Sequence, residues 1–380
     1  MARTHNGGGF VIFKNVKLLG EDFTFRTCDV AVEEGRFAEN GGGEDIDCSG
    51  LMMLPGLVDI HTHGAVGYDN MDPMPEATRA IAGFMAKNGV TTFLPTIMTQ
   101  SKKALSDAAA NIADVRKNGT GGAKIGGIYM EGPYFSVKYK GAQNEEFIRD
   151  PDVAEFDEIN ACSGGLIRIV SIAPERAGSE KFIKKVSDKC RVSIGHTDAD
   201  YDTAARAIEL GASNLTHTYN AMRGLHHRSP NAIGAAIDSG ITCECISDGM
   251  HVHPAMVRLL YNSVGRERLV LVSDSLRATG MPDGEYELGG QMTYVKDAMA
   301  TLADGTIAGS TATLFGCVKK AVEFGVPLED AVRAASLNPA KAAGIDRECG
   351  TIKTGRAADF LLVDESLKLQ AVYVDGVEVK

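Results

Sequence analysis

The sequence predicts an α/β protein, a (β/α)8 TIM-like barrel carrying a small β-sandwich domain built from both chain ends. Two observations lead there. Between Leu57 and Val272, eight short β-favouring runs alternate with helical stretches, the succession that closes a parallel sheet through crossover helices. At both ends of the chain the pattern changes to short apolar runs broken by glycine and acidic turns, too few in either piece to hold a core alone. The expected division is therefore 1–56 with 351–380 for the composite β domain and 57–350 for the barrel, and 380 residues suffice for both.

Taken in order, the N-terminal piece offers Phe10–Phe13, Asp29–Val32 and Leu51–Leu54, with Gly41-Gly42-Gly43 as one of its turns. The barrel begins with Leu57–Ile60. A helix follows, with Ile81, Phe84 and Met85 at helical spacing and Gly89 as its stop. The next strands are Val90–Pro95, Ile125–Met130, Leu166–Ala173, Val192–Ile194, Ser213–Thr216, Ile241–Ile246 and Leu269–Val272, with helices at Lys103–Val115, Tyr201–Leu210 and Pro254–Tyr261. The C-terminal piece reads as Asp359–Val363 and Ala371–Val379, where Asp375-Gly376 between apolar runs marks a hairpin.

Composition narrows the function. Hydrophobic residues at 44% and charged residues at 23% fit a soluble globular protein, and a net charge of −11 with no Lys/Arg block argues against nucleic acid. A phosphorylated substrate would need a local basic pocket. The first nine residues lack an apolar leader and no stretch offers 18 apolar residues in a row, so a cytoplasmic protein is expected. The 8 cysteines are scattered, many in apolar runs, and are expected to stay reduced. Cys243 and Cys245 share one face of a strand and could bind metal, but two small core residues are the better reading without a second pair nearby.

The polar residues fall at one rim. His61 and His63 end the first strand at alternating positions, so both imidazoles leave the same face, and Gly64 lets the backbone turn away. Glu131 follows the third strand, His196 the fifth, His217 the sixth and Asp274 the eighth. In barrels of this class the chemistry sits at the C-terminal ends of the strands, where the βα loops converge. Imidazole and carboxylate without cysteine suit Zn²⁺, Fe²⁺ or Mn²⁺. Such an ion acidifies water and polarises a carbonyl, leaving a carboxylate to take the water proton. Asp274 is the candidate base, returning the proton to a leaving nitrogen as general acid. Hydrolysis of an amide or a related bond is the chemistry this favours.

From Leu54 onward the chain resembles the amidohydrolase superfamily and, within it, the N-acetylglucosamine-6-phosphate deacetylase family. The resemblance rests on Pro55 to Gly64, Glu131-Gly132-Pro133, Gly195-His196-Thr197, His217 to Met222, Ser247 to Val252, Val272-Ser273-Asp274 and Ala308-Gly309-Ser310. It implies that Glu131, His196 and His217 bind the main metal, Zn²⁺ or Fe²⁺ before Mn²⁺, and that Asp274 is the base. The intact pair His61 and His63, with Glu131 as a bridge, implies room for a second ion. It further implies an amino sugar phosphate as substrate, deacetylated at its N-acetyl group, and a homodimer. Asn220, Ala221, Arg228 and His251 are placed against the phosphate, and Ala142, Gln143, Ile307, Ala308 and Gly309 against the sugar.

One position departs from the family. Gln143 stands where members often carry histidine, which puts the preferred sugar in question, so N-acetylgalactosamine 6-phosphate stands beside N-acetylglucosamine 6-phosphate. Arg228 offers a planar fork suited to phosphate. His226 either contacts substrate or packs beside His227, and His251-Val252-His253 reads as loop, since Pro254 begins a helix. A cyclic amidohydrolase of the dihydroorotase or hydantoinase kind resembles this chain in the HxH start but carries a modified lysine after the fourth strand, and Leu166–Glu175 contains none. A scaffold that had lost its chemistry would lack ligands or base, and none is missing.

Overall fold

The structure, a computed structural model, describes residues 10–39 and 43–380. The residues read for a leader and the Gly41-Gly42 turn lie outside the described residues. Eight parallel strands form the barrel: Leu57–Thr62, Val90–Met98, Ile128–Glu131, Ile167–Ile172, Arg191–Ile194, Ala212–Leu215, Thr242–Cys245 and Leu269–Leu271. Each pairs with the next in parallel register. Closure comes just past the eighth strand, where Thr62 bridges Ser275 and the Asp274 N–H donates to the His61 carbonyl at 2.9 Å. Every residue of Val90–Met98 is buried. Helices cover one side and the barrel interior fills the other, which is why strands such as this one carry no exposed face.

The expected third strand is split in two. Lys124–Ile125 pairs beside the second strand before Ile128–Glu131 begins, with Gly126 and Gly127 between them. A Cβ at Gly127 would stand 2.2 Å from Arg168 Cγ, so the chain passes too close to the fourth strand for a side chain. The helices keep their expected places at Pro75–Lys87, Lys102–Asn118, Tyr201–Glu209 and Pro254–Val264. The Ser101 and Asp200 side chains cap the second and third by accepting backbone N–H groups, and Pro254 opens the fourth. Among the described residues no helix is long and apolar enough to cross a membrane.

Both chain ends meet in one mixed sheet. Met52–Pro55 lies between Val11–Leu19, to which it is parallel, and Phe360–Val363, to which it is antiparallel. The sheet continues through Leu369–Val374 and Val377–Glu378 on one side and Phe25–Glu33 and Arg36–Ala38 on the other, and Arg36 returns to bridge Ala357. The expected small β domain is thus one hydrogen-bonded sheet folded over its own core, with Glu44–Asp47 as a side branch paired to Val11–Leu19. Alternate residues serve two interiors: Met53, Phe360 and Leu362 face the small core, while Leu54, Leu361 and Val363 join the core against the barrel helices.

Phe360 is the centre of the small core, stacked on Tyr373 at 4.4 Å and edge-on to Phe13 at 4.9 Å. Phe360→Ala is expected to destabilise the fold by about 3–5 kcal/mol, the usual range for emptying a buried aromatic site. Denaturant unfolding measures it; a change below about 1 kcal/mol would show that this core does not hold the chain ends together.

A three-stranded antiparallel sheet, Gly284–Leu288, Gln291–Lys296 and Met299–Thr301, was not anticipated. It is inserted between the eighth barrel strand and the helix Leu314–Glu323, at the end of the barrel where the polar residues gather.

Candidate active site

Three of the rim residues have backbone that their side chains do not favour. His196, His217 and Asp274 have φ of 46°, 25° and 49°, each costing of order 1–3 kcal/mol for a residue with a Cβ. The strain turns each chain sharply at its strand end and aims the side chain over the barrel axis. Gly64, which opens the short strand Gly64–Ala65 after the histidine pair, answers to close packing instead. A Cβ there would come within 2.2 Å of the Tyr68 carbonyl oxygen.

The side chains converge on Glu131, the last residue of the third strand. Its Oε1 lies 3.1 Å from both His196 Nε2 and His217 Nε2, and those two nitrogens are 3.0 Å apart. Its Oε2 lies 3.3 Å from His63 Nε2, and its Oε1 3.4 Å from His61 Nε2. Asp274 Oδ1 approaches His63 Nε2 at 3.3 Å and His61 Nε2 at 3.6 Å. Glu131, His196 and His217 form one group able to hold a metal ion, and His61, His63 and Asp274 form another.

The donor set fits divalent cations. The Nδ1 of His196 faces the Tyr139 carbonyl oxygen at 3.0 Å, and that of His61 faces Glu244 Oε2 at 3.0 Å. Both rings therefore carry their proton on Nδ1 and turn the Nε2 lone pair inward. His61 Nε2 is buried without a hydrogen-bond partner, a state that a metal relieves. Burial pushes His196 below its usual pKa, toward the neutral form that ligates. Against burial, Asp274 and Glu131 raise His61, and the same two carboxylates raise His63 to about 9. Two buried carboxylates call for positive charge here, and a divalent ion supplies the same charge as two protons. Burial would raise Asp274 itself, but His61 and His63 hold its carboxyl below the usual range.

These groups floor a cavity of about 520 Å³, within the ordinary range for a small-molecule site. Ala142, Gln143, Asn220, Ala221, His251, Ile307 and Gly309 are in its wall. Asp248 Oδ2 meets the His251 Nδ1 at 2.7 Å and, against burial, raises its pKa, so the ring is a ready partner for an anion. A larger cavity of about 1260 Å³ opens at the other end of the barrel, between Arg116, Lys124 and the last residues of the chain. Neither metal-competent group lines it, so the chemistry and not the size marks the site.

Residues 52–379 match the model of the amidohydrolase family. The chain belongs to that family. An N-acetylgalactosamine-6-phosphate deacetylase of Escherichia coli O157:H7 is 37% identical over 86% of this chain and 87% of its own. An N-acetylglucosamine-6-phosphate deacetylase of Bacillus subtilis is 38% identical over 84% of this chain and 82% of its own. Among solved structures, a mutant of the Mycobacterium smegmatis N-acetyl-D-glucosamine-6-phosphate deacetylase, in complex with N-acetyl-D-glucosamine-6-phosphate, superimposes with a TM-score of 0.91 at 32% identity. The match covers 98% of this chain and 100% of that one.

Not every expected residue of this amidohydrolase reaches the cavity. Arg228 is exposed beside the His227 ring, 2.6 Å from its Nε2, and is not among the lining residues. His226 and His227 pack against each other with centroids 4.3 Å apart. Ala308 is buried behind the wall, its N–H bonded to the Ala300 carbonyl. His253 caps the helix that Pro254 opens, accepting the Ala255 N–H at 3.2 Å. Gln143 does not project toward the cavity alone; its Nε2 donates to Glu131 Oε2 at 2.5 Å.

Glu244 escaped the sequence reading. It is fully buried and accepts from Asn214 Nδ2 at 2.7 Å and from the His217 backbone N–H at 3.1 Å, besides meeting His61. A carboxylate inside an apolar strand, between Cys243 and Cys245, was the signal available. Both cysteines are buried core residues, as expected. The inserted sheet adds Leu288 and Gln291 to the cavity wall, which no motif marked.

Proposed function

We propose that this amidohydrolase removes the N-acetyl group of N-acetyl-D-glucosamine 6-phosphate, giving D-glucosamine 6-phosphate and acetate. The observation that carries the reading is Asp274, a buried carboxylate that joins His61 and His63 in one metal-competent group, stands next to the other and lines a cavity of sugar size. Glu131, His196 and His217 would hold the main ion, and His61 and His63, with Glu131 shared, a second. Zn²⁺ or Fe²⁺ suits this set first, Mn²⁺ next. A divalent ion bound there supplies positive charge that polarises the acetyl carbonyl and acidifies water.

Asp274 takes the proton of the attacking water and carries it to the amide nitrogen as the C–N bond breaks. Water's oxygen leaves in acetate; one of its protons reaches the nitrogen through Asp274, and the other, lost from the new carboxylic acid, makes the amine an ammonium, so the balance closes without another reactant. His251 and Asn220 orient the phosphate end. The fourth barrel strand ends without a lysine and Glu131 stands as the shared carboxylate, which favours this reading over a cyclic amidohydrolase.

N-acetylgalactosamine 6-phosphate is a second reading, favoured by the Escherichia coli relative's name. Acetate release from both sugar phosphates by metal-loaded protein tests the two together. A kcat/KM for the glucosamine epimer tenfold or more above the other supports the first; the reverse ratio selects the second, and no release from either removes both. Eight free cysteines suit a reducing cytoplasm.

Arg228 would complete the phosphate subsite from the second copy of a homodimer, since within one chain it lies outside the cavity. A charge-assisted contact contributes about 1.5–3 kcal/mol. Arg228→Ala is then expected to raise KM for the sugar phosphate roughly ten- to a hundredfold, with little effect on an unphosphorylated N-acetyl sugar. Mixing Arg228→Ala chains with Asp274→Asn chains should restore part of the activity. Equal losses toward both substrates would make Arg228 structural.

A further inference from the structure

Glu131 serves two clusters with one carboxylate, and its own covalent geometry does not decide which oxygen faces which. The terminal torsion of a glutamate has broad, two-fold wells. Something outside the residue must set the plane, and the structure shows one side chain placed to do it. Gln143 is 3% exposed, and its Nε2 donates to Glu131 Oε2 at 2.5 Å. Its Oε1 accepts the Thr99 backbone N–H at 3.0 Å. The Thr99 contact fixes the amide orientation. Rotated by half a turn, the amide would set its NH2 against an N–H and its oxygen against a carboxylate, two repulsions between buried groups.

The anchor is itself rigid. Thr99 immediately follows the second barrel strand, Val90–Met98, which is buried along its whole length. The Gln143 backbone N–H donates to the Lys140 carbonyl at 3.0 Å, closing the loop that forms one side of the cavity. With Oε2 held by Gln143 toward His63, Oε1 is left for the His196 and His217 nitrogens, both at 3.1 Å. Outer groups that orient a ligand in this way generally govern metal affinity roughly ten- to a hundredfold.

We propose that Gln143 is a positioning residue of the metal centre, holding the Glu131 carboxylate plane through an amide that Thr99 orients, and that this outweighs any contact with the sugar. The proposal rests on the metal reading above. A sugar contact and a positioning role make opposite predictions about protein that has never met substrate, which is where the test is made.

The experiment measures Zn²⁺ affinity by chelator competition and records the visible spectrum of the Co²⁺-loaded protein, for the parent, Gln143→Leu and Gln143→Met. Methionine fills the same space without donor or acceptor, so it stands in if the leucine variant does not fold. The melting temperature of metal-stripped protein identifies the folded variants. Expected are a roughly ten- to a hundredfold weaker Zn²⁺ affinity, altered Co²⁺ bands, and a lower kcat with KM changed less than about threefold. Zn²⁺ affinity within twofold of the parent and unchanged Co²⁺ bands, with KM raised, would overturn the proposal and return Gln143 to the sugar. A parent that binds no divalent ion would overturn the metal reading as well, a result distinguishable from failure of the variant alone.

Discussion

Asp274→Asn is expected to lower turnover by about a hundredfold or more, the usual scale for losing a general acid/base. Asparagine keeps the shape and can still hydrogen-bond, but it cannot take a proton from water or return one to nitrogen. Metal at the Glu131, His196 and His217 group should stay, because Asp274 belongs to the other group. The neutral amide also withdraws negative charge from His61 and His63, 3.6 and 3.3 Å away, so any second ion should bind less tightly. Single-turnover acetate release, with elemental analysis of the same sample, separates the two effects. Turnover equal to the parent would remove Asp274 from the mechanism.

His196→Ala or His217→Ala should abolish both main-site metal and activity. Three protein ligands are the usual minimum for a catalytic centre of this kind, and either change leaves two. His61→Ala should cost mainly the second ion. It also removes a hydrogen-bond partner of the buried Glu244, which should lower stability by about 1–3 kcal/mol. Full metal retention after dialysis of the His196 or His217 variant would show that the ion lies elsewhere.

The barrel was legible because its strands are mostly buried on both faces and rich in β-branched and other apolar residues, while each rim residue falls where a strand ends. His61, His63, Glu131, His196, His217 and Asp274 could be placed at one rim from strand order alone, since parallel strands all end on the same side. What closes the site was less visible. Gln143 lies in a loop whose path no periodicity sets, so its proximity to Glu131 depends on the Thr99 contact, 44 positions away in the chain. The inserted sheet escaped because its strands are short and carry charges at Glu285, Glu287 and Lys296. Arg228 came with the family resemblance, which carries no geometry, and in the structure it is exposed and outside the cavity.

The place of Met52–Pro55 between a strand from the start of the chain and one near its end has a consequence for synthesis on the ribosome. Met52–Pro55 waits for its antiparallel neighbour, Phe360–Val363. At roughly 5–20 residues per second, the intervening stretch of about 300 residues takes some 15–60 s to emerge. Through that interval a strand that is apolar on both faces has an open edge, the condition under which nascent chains pair with one another. A chain that ends short of Phe360 would therefore carry both metal-competent groups of side chains with this apolar edge uncovered.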